Sequence, residues 1–226
     1  MTKGPRTVEL PSLLRSHRLV AIVRGRAADA ALRSVHALAA EGVELIEVSL
    51  TTDKALDVLA RARAELGPSA LGAGTVLTGQ DARNACAAGA AFVVTPGLCA
   101  GAAEAVRLGL PALVGVFTPS EVIAARAAGA AAVKLFPAAQ AGGPAYLKAL
   151  RAPFPDVDFV PVGGVDAESG RGYLEAGATA IGVGGPLLGD AADGGDPDAL
   201  RHRARRYLRM IDDFTAGQHP GTRAGA

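Results

Sequence analysis

Eight apolar runs of five to seven residues punctuate the chain, at 19–24, 44–50, 70–74, 91–95, 112–116, 131–136, 158–162 and 179–183. Between them apolar positions return every three or four residues, as in "DKALDVLARARAEL" and "PSEVIAARAAG", the spacing of a helix with one buried face. Four junctions echo one another: "AEGVELIEV", "AAGAAFVV", "AAGAAAVKL" and "EAGATAIGV". Each reads as a helix end, a glycine just past it, then a buried strand. The glycines are Gly42, Gly89, Gly129 and Gly177, with weaker copies at Gly67 and Gly109. Their separations are 25, 22, 20 and 20 residues, and then 48, which is two units of 24. One strand plus one helix is thus repeated eight times. Strands without polar alternation are covered on both faces, as in a parallel sheet wrapped by helices. Eight such units predict an α/β fold, a closed (β/α)8 TIM barrel, as one domain over residues 1–226. An extra N-terminal helix over 7–17, "TVELPSLLRSH", is expected to close the bottom. The tail from about 216 reads as disordered.

Composition narrows the possibilities. Half the residues are hydrophobic but tryptophan is absent and aromatics make up 4 %, so the core is aliphatic and rich in alanine. Lysine and arginine number 23 against 22 acidic residues, which offers no electrostatic basis for binding nucleic acid or an anionic membrane. The basic stretch "RHRARRYLRM" is read as the solvated face of the last helix. Cys86 and Cys99 form no CxxC, and His17, His36, His202 and His219 fit no metal-ligand pattern. No run approaches the length of a membrane span, and no secretory segment is evident at the N-terminus. A cytoplasmic protein acting on a small molecule, without metal, is expected.

Chemistry in these barrels gathers at the C-terminal ends of the strands, here "IVRG", "IEVSLTT", "GAGT", "VVTPG", "VGVFTPS", "VKLFP", "VPVGG" and "IGVGG". Two charges stand inside the apolar runs, Glu47 and Lys134, and Arg24 lies at the mouth of a third strand. A lysine kept from water has its pKa lowered, and its neutral amine can attack a carbonyl to form a Schiff base. A carboxylate beside it can move the protons that this addition and dehydration require. A buried ion pair would be the ordinary structural reason for the same two residues. Gly163–Gly164 and Gly184–Gly185 close strands 7 and 8, where bare backbone N–H groups commonly hold a phosphate; tight turns alone would also explain them.

"IEVSLTT", "GAGTVL", "TPG", "VKLFPA" and "VGGV", in this order and spacing, resemble the bacterial aldolases acting on 2-keto-3-deoxy-6-phosphogluconate and 4-hydroxy-2-oxoglutarate. The resemblance runs over about residues 8 to 190. It implies a metal-free class I aldolase in a (β/α)8 barrel, commonly a homotrimer, whose only covalent helper is a Schiff base with Lys134. By the same resemblance Glu47 handles protons. It likewise implies that Thr75 and Pro96 surround the pyruvyl group, that Phe136 is an aromatic beside the lysine, and that Gly163, Gly164 and Gly184 hold phosphate.

Three positions depart from the pattern. Thr51 stands where many members have a carboxylate-binding arginine, Val162 where a threonine is usual, and Gly185 where a serine is usual. Arg24 could replace the missing arginine from strand 1, and Arg24 and Val162 are both similar to related 2-keto-3-deoxy-6-phosphogalactonate aldolases. The substrate therefore stays open among these acids. Two other functions fit the residues: an isomerase or epimerase using Lys134 and Glu47 as acid and base, or a barrel that binds a phosphorylated metabolite without turnover. A covalent imine separates the first rival from an aldolase, and product release separates the second.

Overall fold

In the computed structural model, residues 9–66 and 70–218 are described. The strands are β1 (Leu19–Val23), β2 (Leu45–Ser49), β3 (Ala70–Gly74), β4 (Phe92–Val94), β5 (Ala112–Val116), β6 (Ala132–Leu135), β7 (Phe159–Pro161) and β8 (Ile181–Val183). Each lies within the apolar run that predicts it. All pair in parallel in the order β7-β6-β5-β4-β3-β2-β1-β8. A bridge between Val162 and Gly182 joins the two edges and completes the ring.

The helices are α1 (Leu10–His17), α2 (Ala28–Ala40), α3 (Ala55–Leu66), α4 (Gly79–Ala87), α5 (Ala100–Arg107), α6 (Pro119–Ala127), α7 (Gly143–Arg151), α8 (Ala167–Glu175), α9 (Gly185–Leu188) and α10 (Pro197–Gln218). Several start where the sequence supplies a cap. Thr78 with Asp81, Thr118 with Glu121, and Asp166 with Ser169 each close a capping box that satisfies free N–H groups of the first turn. The glycines at the helix ends adopt the left-handed conformation the repeat predicts, with φ of 90° at Gly42 and 84° at Gly129. Gly67 lies outside the described residues.

Two cores follow from the two-residue period of the strands. Leu19, Ala21, Val23, Ile46 and Val48 point outward and pack under the helices. Val20, Ile22, Leu45, Phe92, Val94, Leu113, Val160 and Val162 point inward and fill the barrel. Leu10 and Leu14 of α1 belong to this inner core and close its floor, as the extra helix was expected to do.

Two expectations are corrected. Residues 216–218 are helical, since α10 runs to Gln218; the remainder of the expected disordered tail lies outside the described residues. The arginines of α10 are not simply a solvated face. Arg205 makes a two-pronged ion pair with Glu41, with bonds of 2.6 Å and 2.8 Å, and Arg203 donates to backbone carbonyls of α9. No helix among the described residues is long and apolar enough to cross a membrane.

Because Leu14 is fully buried in the floor, Leu14→Ala should lower unfolding free energy by about 2–5 kcal/mol, measured by urea titration. A loss within error would mean that α1 does not seal the barrel.

Candidate active site

The register places Glu47 beside Ile22 and Gly72, and Lys134 beside Gly115 and Val160. Leu45, Glu47 and Ser49 therefore share the inward face of β2, while Ala132, Lys134 and Phe136 share that of β6 and its continuation. In the ring, three strands separate β2 from β6 on either side, so the two charged side chains face one another across the interior.

Both are buried, Glu47 at 1 % exposure and Lys134 at 6 %. Burial pushes the Lys134 ammonium below the ordinary lysine range; Glu47 opposes the shift and Arg24 adds to it. Burial likewise pushes the Glu47 carboxyl up, against the pull of Lys134 and Arg24. Glu47 Oε2 is buried with no hydrogen-bond partner among the described residues. Such an acceptor is costly in a structural role and useful where a proton must be taken up. Lys134 Nζ sits 4.9 Å from the centre of the Phe136 ring, a cation–π contact available only to the charged form.

Glycines give these groups their room. A Cβ on Gly74 would lie 2.5 Å from Glu47 Oε1, so β3 must present bare backbone there. A Cβ on Gly115 would come within 2.1 Å of the Pro96 carbonyl carbon, so the backbone of Pro96 leans over β5 beside Lys134. Small inward residues on β3 and β8 leave a cavity of about 410 Å³ at the C-terminal mouth. Of the predicted site residues, Arg24, Thr75, Pro96, Lys134, Phe136, Val162, Gly163, Gly164, Gly184 and Gly185 line it. Glu47 and Thr51 do not; Glu47 is buried in the interior, and Thr51 is exposed and tied in through Ser49.

Ser49 is the functional candidate that the sequence reading missed. Its hydroxyl lies 2.8 Å from that of Thr51 and 2.9 Å from that of Thr75. Arg24 reaches this trio with long bonds of 3.4 Å to Ser49 and 3.5 Å to Thr75, and makes no ion pair among the described residues. Its guanidinium is thus free to receive an anion. Ser49 could have been found by stepping two residues from Glu47 along the inward face. Thr75 holds a φ of 59°, which a β-branched residue adopts only under strain, a mark common at functional sites. On the opposite wall, Gly163 and Gly164 also have positive φ, and a Cβ on Gly164 would strike Ala139 at 2.5 Å. No group of three or more histidine, cysteine or acidic residues that could hold a metal occurs among the described residues.

A buried amine lining the mouth of a (β/α)8 barrel, with a buried carboxylate facing it from the interior, forms the kind of site an enzyme uses on carbonyl compounds. The family model "Aldolase: KDPG and KHG aldolase" matches residues 10–201. A 2-dehydro-3-deoxy-phosphogluconate aldolase of Pseudomonas aeruginosa is 40 % identical over 174 residues, covering 75 % of this chain and 77 % of that protein. Two solved structures agree. A native KDPGal structure has a TM-score of 0.79 at 29 % identity, covering 87 % of this chain and 95 % of that one. The KDPG aldolase of Legionella pneumophila, with pyruvate captured as a covalent carbinolamine, scores 0.77 at 27 % identity, covering 92 % and 98 %. This chain belongs to the KDPG and KHG aldolase family, and it is a lyase.

The lowered Lys134 value has a definite sign. An unfolded lysine keeps its proton to about pH 10.4, whereas folded Lys134 releases its proton at lower pH. Between the two values the unfolded chain binds more protons, so this residue makes stability rise with pH. NMR of ¹³C-methylated lysines should show one resonance titrating below the others and missing in Lys134→Arg. Titration of every lysine in the ordinary range would contradict a desolvated amine.

Proposed function

We propose that Lys134 is the Schiff-base lysine of a class I aldolase and that Glu47 is its proton carrier. The supporting observation is the pair itself: two ionisable groups opposed in an apolar interior, one with an unpartnered oxygen. The neutral Lys134 amine adds to the C2 carbonyl of a 2-keto-3-deoxy acid, forming a C–N bond and a carbinolamine. Glu47 delivers the proton that lets the hydroxyl leave as water, giving the iminium. Electrons of the C3–C4 bond then flow into the iminium while the C4 hydroxyl gives up its proton, with Glu47 the available base. An aldehyde leaves, glyceraldehyde 3-phosphate when the substrate carries phosphate. Protonation of the enamine at C3 and hydrolysis of the imine release pyruvate and restore Lys134.

Arg24 receives the substrate carboxylate, helped by the Ser49 and Thr75 hydroxyls, in place of the arginine absent at Thr51. Phe136 and Pro96 hold the pyruvyl group, and Val162 contributes an apolar wall. The turns Gly163–Gly164 and Gly184–Gly185 seat the phosphate through backbone N–H groups. The substrate is a 2-keto-3-deoxy-6-phospho sugar acid or 4-hydroxy-2-oxoglutarate; the likeness to the native KDPGal structure keeps the galactonate type among the candidates. The enzyme works in the cytoplasm as a homotrimer and needs neither metal nor cofactor.

A pyruvate-release assay over the phosphogluconate, phosphogalactonate and hydroxyoxoglutarate substrates tests this reading. Lys134→Ala should lose nearly all turnover with its thermal midpoint retained, and Glu47→Gln should lose about 10²–10⁴-fold. A chelator should leave the rate unchanged. Full activity in Lys134→Ala would overturn the proposal, and loss of activity on chelation would overturn its metal-free form.

A further inference from the structure

The turn that bears Gly184 and Gly185 carries no side chain able to grip an anion. Its N–H groups must be aimed by whatever fixes its backbone. From inside, the Gly184 carbonyl accepts from the N–H groups of Leu187 and Leu188, both at 2.9 Å, and Gly185 accepts from Gly189 at 2.8 Å. The one-turn helix α9 then stops, so the carbonyls of Leu187 and Leu188 have no helical donors ahead of them. Arg203 supplies both: its Nε donates to the Leu187 carbonyl at 2.6 Å and its Nη2 to the Leu188 carbonyl at 2.7 Å. The fit is close on the other side too, since a Cβ on Gly189 would lie 2.7 Å from Arg203 Nη2. Gly189 holds a φ of 55°, so the chain leaves the turn in a form that keeps this space clear.

We infer that Arg203 is a positioning residue for the anion seat: it clamps the Gly184–Gly185 turn from behind, and so sets the enzyme's preference for a phosphorylated substrate. This role rests on the proposed seating of phosphate at that turn. A planar guanidinium spanning two adjacent carbonyls fixes both position and orientation, which a single ammonium cannot do. Arg203 forms no ion pair among the described residues, so these two carbonyls account for its placement. Its helix is held independently, because Arg205 on the same helix pairs with Glu41 beyond α2 and Leu200, Ala204 and Tyr207 are buried. Removing Arg203 therefore loosens the turn and leaves α10 docked. Lys134 lies on β6, with β7 between it and β8, and the Arg203 bonds end on Leu187 and Leu188, so the Lys134 end of the cavity is left as it was.

The test compares 2-keto-3-deoxy-6-phosphogluconate with the same acid lacking phosphate, in wild type, Arg203→Ala and Arg203→Lys. Losing two short bonds from a charged donor should raise KM for the phosphorylated acid about tenfold or more in Arg203→Ala. Its kcat, and KM for the unphosphorylated acid, should stay within about twofold of wild type. Arg203→Lys should fall between. Added guanidinium should restore part of the lost affinity in Arg203→Ala, since a cavity of about 170 Å³ adjoins Arg203 beside Pro186 and Tyr207. A wild type indifferent to phosphate would overturn the seat and this role with it. A wild type that prefers phosphate, but whose Arg203→Ala variant changes neither substrate or both alike, would overturn the clamp alone.

Discussion

Holding an amine in an aliphatic barrel opposes the largest force that builds the fold. The inner core is made of valine, leucine, isoleucine, alanine and one phenylalanine, and into it β6 places Lys134. An ammonium loses much of its hydration there, and the folded state responds by lowering its proton affinity. Glu47 across the ring offsets part of the penalty and carries its own, its affinity for protons raised by the same burial. Neither residue is comfortable charged, and neither is saturated by hydrogen bonds. Burial thus favours the neutral form of each, the form in which the proposed mechanism uses Lys134 as nucleophile and Glu47 as proton donor.

In the proposed mechanism the remainder of the mouth makes space for this pair and grips what it acts on. Gly74 and Gly115 are bare because Glu47 and the Pro96 backbone occupy the volume a side chain would take. Arg24, held loosely by Ser49 and Thr75, offers one cation on the β1–β3 side. The glycine turns after β7 and β8 offer uncharged N–H groups on the other. A substrate with a carboxylate near its keto group and a phosphate at its far end matches that polarity across a cavity of about 410 Å³.

Much of this could be read from the sequence because barrels impose a strong period. Burial on both faces writes each strand as an apolar run, and a left-handed helix end demands glycine, so strands and junctions were both legible. Lys134 and Glu47 stood out as charges in such runs. Ser49 did not, since a buried serine looks ordinary until its hydroxyl is seen joining Thr51 and Thr75. Nor did Arg203, whose partners are carbonyls 15 and 16 residues away and leave no trace in side-chain types. Its neighbours in a basic stretch suggested a solvated face, yet the ion pair of Arg205 with Glu41 spans 164 residues of sequence. Three-dimensional proximity between distant polar groups is the information that periodicity does not carry.

The central claim is that Lys134 becomes covalently bound to the substrate's keto carbon. Incubation with pyruvate and borohydride, followed by mass spectrometry of the peptides, tests it most directly. The account predicts one reduced pyruvyl adduct, located on Lys134 and accompanied by loss of activity. An adduct on another lysine, or an unmodified Lys134 in folded, active protein, would contradict it.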